Sequence, residues 1–384
     1  MDFYFTQEEE EFRKEVRQFI EAEVTKEMRE EIARGFELGL GTHTRRLMKL
    51  LGQKRWLASI FPEEYGGMGA SRWQQFILMD ELSYHRALPV GIIGVAIVGP
   101  MLLHIGNKEQ KNKFLPQIAR GEIEFALGYT EPEAGSDLAN LKIKAEDKGD
   151  HYLLNGQKVF NTGCHYSEYV WLAARTDSTA TKKHKGITLF IVDIKTPGIT
   201  VRPLWVLDGD RTNEVFYDDV KVPKENMVGE KGRGFYYILT ALAYERSFPV
   251  GDIRCAFDEF VDFLKEEGLS KESFVQQNVA KLASELQALY LLAYRVSWLT
   301  SKKIAPSWEA PMSKVYYTEF MRRFSGIAME IMGPYGQLQK ESKWAPLMGR
   351  IERLYRHAAR RNITAGSSEI QRNIIASIGL GMPR

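Results

Sequence analysis

Cysteine is nearly absent from this 384-residue chain. Cys164 and Cys255 stand far apart, with no CxxC pair and no Cys/His spacing suited to zinc. Neither a disulfide framework nor a structural metal is signalled, and a reducing compartment fits best. An excess of charge is missing too: 52 Lys and Arg face 50 Asp and Glu, for a net charge of +2, which leaves no footprint for nucleic acid. Long apolar runs are lacking but for one, Ala87 to Leu103 (ALPVGIIGVAIVGPMLL). It is at the short limit for a bilayer span and is interrupted by Pro89, Gly91, Gly94, Gly99 and Pro100, so it reads as a buried helix wall rather than a membrane segment. The start, MDFYFTQEEEEFRKEV, turns acidic at once and lacks the basic and apolar regions of a secretory signal; a cytoplasmic location is expected. GxGxxG, P-loop, GxSxG and HExxH motifs are all absent, so nicotinamide, nucleoside-triphosphate, serine-hydrolase and zinc-protease chemistries lack their usual signatures.

What is present is a composition for a large core, 44% hydrophobic against 27% charged, which excludes a disordered or fibrous chain. Thr6 and Glu9 resemble a capping box, and Phe12, Val16, Phe19, Ile20, Val24, Met28 and Ile32 recur at spacings of three and four, predicting one face of a long helix. Further helical stretches run to about Arg120. The texture then changes to short apolar runs with turn signals: EIEFALGY, KGD before HYLL, NG before QKVF, YVWLAART, GITLFIVDI and EVFYDDVKV. Helical periodicity returns from about Gly229, with long segments at Asn278 to Lys303 and Pro311 to Met332. The expectation is a multidomain α+β protein: an N-terminal helical domain (1–120), a central antiparallel β-barrel or sheet domain (121–228) and a C-terminal four-helix-bundle domain (229–384).

Four stretches could carry chemistry. GYTEPEAGSDLANL, Gly128 to Leu141, leaves a strand and offers small residues and hydroxyls (Thr130, Gly135, Ser136) past which a ligand can approach the backbone; a tight surface turn reads equally well. QKVFNTG, Gln157 to Gly163, ends another strand, and Phe160 and Thr162, two apart, share a side of the sheet. That pairing suits a planar heterocycle, though Phe160 also suits plain core. After GEKGRGF a helix begins on which Glu245 falls beside Ile238 at the edge of an apolar stripe of Phe235, Ile238, Leu239 and Leu242. A carboxylate there is either a dry base with a raised pKa or a solvent-reaching partner of Arg246. In ITAGSSEIQRNIIASIG, Ile363 to Gly379, Gly366, Ser367 and Ser368 open a helix whose hydroxyls either hold a polar ligand or cap the helix. Upstream, Arg350, Arg353, Arg356, Arg360 and Arg361 form a basic run at helical spacing, suited to phosphates, to solvent or to another subunit.

These pieces, in this order and on this frame, resemble the acyl-CoA dehydrogenase family over essentially the whole chain: FPEEYGGMG, TEPEAGSD with NGQK soon after it, VPKENMVGEKGRGF and GSSEIQRNIIA. The resemblance implies FAD lying between the β domain and the C-terminal helical domain. Tyr129, Thr130, Gly135 and Ser136 then touch the flavin, with Ser136 also near the thioester; Phe160 stands where the family usually has Trp beside the isoalloxazine, Thr162 bonds the N5 region, and Ser367 and Glu369 contact FAD. Substrate contacts fall on Ser136, Tyr244, Arg246 and Gly366. No metal is implied.

Departures from the family pattern are informative. Most members carry Glu-Gly in the loop before the last helix and use that Glu as base, where this chain has Ala365. A minority place the base on the helix after the β domain, at the position of Glu245 in AYERS, so the resemblance implies Glu245 as catalytic base. The RxxFG motif that reaches a neighbouring subunit's FAD is absent from FLKEEGLSKESFVQQ, and the glutamine-glycine element for the adenine end reads MEIMGPYG. These losses, and the ending IIASIGLGMPR, resemble the bacterial steroid side-chain and ring-substrate branch. The implied activity is α,β-dehydrogenation of an acyl-CoA thioester, electrons passing to an electron-transfer flavoprotein, in a homotetramer or an α2β2 heterotetramer with a related subunit. The alternative expectation is a non-catalytic partner subunit of a heteromeric dehydrogenase; an oxygen-using flavoenzyme is a third.

Overall fold

The computed structural model describes residues 4–89, 92–245 and 249–383, without the side chains of residues 36, 38, 243, 244 and 245. Helices precede and follow a central sheet, the α+β class expected. Two compact units form: Met1–Ala22 with Ser71–Leu88 and Arg246–Arg384, and Glu23–Ala70 with Pro89–Glu245. Among the described residues no helix is long and apolar enough to cross a membrane.

In the first unit the Thr6/Glu9 capping box is present, each side chain closing on the other's backbone N–H. The stripe that follows does not make one long helix. The first helix is Gln7–Glu23, and the next, Lys26–Ala33, which belongs to the second unit, starts anew because Thr25 takes an extended backbone (ψ 167°) and its hydroxyl accepts the Met28 N–H. Local capping by Thr outcompetes continuation. A second capping box, Ser71 with Gln74, opens the helix Arg72–Tyr84. Gly251 lets the helix Gly251–Glu266 approach it closely, since a Cβ there would lie 2.2 Å from the Asp80 carbonyl oxygen. Helices Ser273–Ser301, Glu309–Met332 and Arg350–Arg361 complete a bundle whose core includes Phe257, Phe260, Phe320 and Phe324. Buried Glu81 accepts Arg13 Nε at 2.5 Å and Arg17 Nε at 2.8 Å. Burial pushes its carboxyl up, but bonds from His85, Arg17 and Arg13 outweigh that and hold it well below the usual range.

The second unit is built on a sheet of β1 (Phe125–Gly128), β2 (Lys144–Asp147), β3 (His151–Lys158), β4 (Tyr169–Arg175), β5 (Ile187–Asp193), β6 (Ile199–Trp205), β7 (Arg211–Pro223) and β8 (Met227–Val228). The order is β6-β7-β3-β2-β4-β5-β8, with β1 beside β4. Most neighbours are antiparallel, as expected. Two pairings, β1 with β4 and β2 with β4, are parallel and make the sheet mixed, because long crossovers rather than hairpins join these strands. The interior of β4 and nearly all of β5 are buried, whereas β6, half-exposed and carrying Pro203, lies at an edge where a missing N–H is tolerated. Asn155-Gly156 is not a turn. β3 runs through it, its register against β7 shifts between Leu154 and Gly156 with the extra residue on β7, and at Gly156 (φ +147°) a Cβ would meet Ile143 Cα at 2.9 Å. The apolar run forms a π turn, Gly94–Val98, leading into the helix Gly99–Ile105; Ile97, Val98, Met101 and Leu102 are buried, as a helix wall requires.

Candidate active site

In the second unit β1 ends at Gly128, where a Cβ would press to 2.7 Å from Leu172 Cδ1, and the chain enters the loop to Leu141. Glu131 and Ala134 exchange backbone hydrogen bonds of 3.1 Å around Pro132 and Glu133, so the tight-turn reading holds for this part. Beyond it Gly135 and Ser136 are exposed, and nothing lies within 4 Å of a Cβ placed on Gly135. Tyr129 is buried and Thr130 half-buried.

The Phe160 segment differs from expectation. β3 stops at Lys158, and Phe160 takes a left-handed backbone (φ +56°), with the Thr162 N–H donating to the Phe160 carbonyl at 2.9 Å. Strand alternation therefore does not relate Phe160 to Thr162; a turn does. The Phe160 ring is 57% exposed, which removes the core reading. Between them Asn161 is buried with neither side-chain amide atom hydrogen-bonded among the described residues. The Val159 N–H donates to the Thr130 carbonyl at 2.9 Å, which sets the two segments side by side. Among the described residues the hydroxyls of Thr130, Ser136 and Thr162 make no hydrogen bond. An exposed aromatic face, neutral hydroxyls and a side-chain-free Gly135 fit the polar edge and face of a flavin ring.

Sequence reasoning missed what lies behind this face. Lys158 is fully buried, its Nζ 2.8 Å from the Tyr129 carbonyl and 2.9 Å from Glu131 Oε1. Burial pulls this ammonium down to about 8 against the attraction of Glu131. The available signal was a lysine closing a strand an even number of residues after buried Tyr152 and Leu154, and so on the same face by plain alternation.

The helix after the sheet, Gly234–Glu245, buries Gly234, Ile238 and Ala241, while Leu239 is half exposed. The apolar stripe is thus rotated from the expected Phe235, Ile238, Leu239, Leu242 set. Position 245 follows Ile238 and Ala241 by seven and four residues, the spacing of one helix face. The side chains of Glu245 and Tyr244, and Arg246 altogether, lie outside the described residues.

In the first unit Ala365 (φ +56°) and Gly366 (φ +88°) make a left-handed turn ahead of the helix Ser368–Ile374. Ser367 caps that helix, accepting the Ile370 N–H at 3.4 Å, so the capping reading of this residue is met. Gln371, fully buried, donates to the Ala365 carbonyl at 2.9 Å and to that of Gly366 at 3.3 Å. Glu369 is exposed in the first turn; the helix-start N–H groups lower its carboxyl pKa. In the basic run, Arg356 pairs with Glu352 at 2.6 Å and Arg350 with Glu259 at 3.2 Å, so these two members serve the fold.

Known proteins match this chain throughout. The profiles described as acyl-CoA dehydrogenase N-terminal, middle and C-terminal domains match residues 6–122, 126–220 and 232–380. The acyl-CoA dehydrogenase FadE26 of Mycobacterium tuberculosis is 35% identical over 399 aligned positions, covering 100% of this chain and 99% of that protein. A solved structure described as the Tcur3481-Tcur3483 steroid ACAD superposes with a TM-score of 0.93 at 34% identity, and the ChsE4-ChsE5 complex from Mycobacterium tuberculosis with 0.91 at 34%, each covering 100% of both chains. On these grounds the chain belongs to the acyl-CoA dehydrogenase family of FAD-dependent oxidoreductases.

Proposed function

We propose that this chain removes the α-proton of an acyl-CoA thioester through Glu245 and yields the trans-2-enoyl-CoA. The observation that carries the reading is the exchange of carboxylates: the left-handed turn that most of the family uses for its base holds Ala365, while the helix Gly234–Glu245 ends on a glutamate in register with buried Ile238 and Ala241. When bound, FAD supplies the hydride acceptor for the β-carbon.

The protein's own residues have three tasks. Thr130, Ser136, Phe160 and Thr162 offer free hydroxyls and an aromatic face to the flavin ring; Tyr129, Gly135, Ser367 and Glu369 extend that contact set. Ser136, Tyr244, Arg246 and Gly366 would orient the thioester with its α-carbon presented to Glu245. Glu245 takes the proton, and its basicity depends on being held away from water, since a thioester α-carbon is too weakly acidic for a hydrated carboxylate. An electron-transfer flavoprotein would be the acceptor that returns bound FAD to its oxidised form. The likeness to a steroid ACAD supports a steroid side-chain thioester over a short straight-chain one.

The test is Glu245→Gln, assayed by flavin bleaching under substrate. The variant binds FAD and acyl-CoA but is reduced at least about 100-fold more slowly, the usual worth of a general base. Full-rate bleaching removes Glu245 from the reaction. A second reading, a non-catalytic subunit completing a partner's site, is favoured by the missing RxxFG and by the two-chain ChsE4-ChsE5 complex among the similar structures. A colourless purified chain that restores flavin to a second subunit supports it.

A further inference from the structure

We propose that Lys158 is a positioning residue for the flavin-contacting face: its ammonium locks the Tyr129–Glu131 segment onto the end of β3, so that the loop and the Phe160–Thr162 turn are presented as one rigid surface. The inference rests on the assignment of those two segments to FAD. Three consecutive loop residues bond to two consecutive residues, the last of β3 and the one after it. Lys158 Nζ reaches the Tyr129 carbonyl and the Glu131 carboxylate, and the Val159 N–H reaches the Thr130 carbonyl lying between them. Glu131 in turn accepts the backbone N–H groups of Lys142 and Ile143, which anchors the far end of the loop to the same carboxylate. One buried ion pair therefore ties together the strand end, the start of the loop and its exit.

The energetics argue that the pair is present for geometry rather than for stability. Taking an ammonium and a carboxylate out of water is costly for each group, and an apolar pair of equal volume often serves a core as well or better. Lys158 is fully buried and Glu131 is 6% exposed, so the penalty applies in full. What an apolar pair cannot do is bind the Tyr129 carbonyl and the Lys142 and Ile143 N–H groups in one fixed arrangement. Two residues beyond Lys158, Phe160 stands 57% exposed in its left-handed turn, so any slack behind it moves the ring directly.

The experiment compares the wild-type holoenzyme with Lys158→Met and with the double variant Lys158→Met/Glu131→Gln. The single variant strands a buried carboxylate and can fail to fold. The double variant removes both charges while the amide oxygen still accepts a loop N–H, so it separates positioning from folding. The readouts are apoprotein melting, FAD dissociation constant by fluorescence titration and the resolution of the visible flavin bands. The double variant melts within a few degrees of wild type yet binds FAD about 10- to 100-fold more weakly, by analogy with the outer-shell supports of metal sites, with blurred band structure. A double variant that binds FAD within twofold of wild type and keeps its spectrum overturns the role of Lys158. A wild-type chain that takes up no FAD overturns the flavin assignment and the inference with it.

Discussion

At φ +56° the Phe160 backbone sits in a region that costs a residue with a Cβ roughly 1–2 kcal/mol, and its ring recovers little of that because it is 57% exposed. Strain of this kind at an exposed aromatic marks a place where a ligand completes the packing. Phe160→Gly is therefore expected to leave the apoprotein melting point within a few degrees of wild type. Relief of strain offsets the greater freedom of glycine in the unfolded chain, worth about 0.4–1 kcal/mol. A core phenylalanine lost in the same way costs about 3–5 kcal/mol. FAD binding weakens in the same variant, and calorimetry beside a flavin titration reads both numbers. Phe160→Trp, the family's usual choice, keeps FAD affinity. The residue type at 160 was readable as a candidate flavin contact. Its conformation was not, because a strand-end alternation rule cannot foresee a left-handed turn two residues past the last ladder bond.

Among the elements, the join between the apolar wall and the sheet carries a buried acid. Glu124, immediately before β1, accepts the Gly94 N–H of the π turn and the Phe125 N–H of the strand. Burial is the dominant influence and pushes its carboxyl up to about 8; the two N–H groups oppose that, Glu168 adds to it and Arg45 opposes it. The folded pKa thus lies above the unfolded one, so the native state holds an extra proton between about 4.5 and 8. Stability is fullest below that window and falls as pH rises through it. Glu124→Gln keeps an oxygen for both N–H groups without ionising. It is expected to melt near wild type at pH 5 and several degrees higher at pH 8, as two thermal scans would show; a constant difference across pH assigns the slope elsewhere. A Cβ at Gly94 would stand 3.0 Å from Glu124 Oε1, so a larger residue here crowds the carboxyl. Two of the glycines that break this run into something too poor for a membrane, Gly94 and Gly99, are also ones at which a Cβ would crowd a neighbour. The split of the first helix at Thr25 and the register shift at Gly156 make the same point. Periodicity located both segments, but a hydroxyl that captures an N–H and a glycine pressed against Ile143 decided their ends and bends.

For the whole molecule, assembly is the open question with a direct measurement. The C-terminal stretch leaves Ile363, Leu380 and Met382 between 54% and 72% exposed, and Ile378 is 48% exposed. An apolar series of this kind is expected against another subunit. Native mass spectrometry is expected to show four chains. Four bound FAD identify the homotetramer; fewer FAD together with a second related chain identify the α2β2 form. A monomer at micromolar concentration contradicts both. The missing RxxFG bears on this count, because a cofactor held without a neighbour's arginine depends more heavily on the chain's own loop.

The order of helices and strands, the buried apolar wall, and the family with its cofactor were written in local patterns: hydrophobic spacing, turn residues, and short motifs whose residue types serve one chemistry. Those signals act over a few neighbours, so a linear reading recovers them. Which strands run parallel, where Phe160 points, and why a lysine is buried behind the proposed flavin-contacting face depend on groups many residues apart meeting in a medium that excludes water. There an ammonium survives only beside Glu131 and the Tyr129 carbonyl, and only the folded chain brings those oxygens to it.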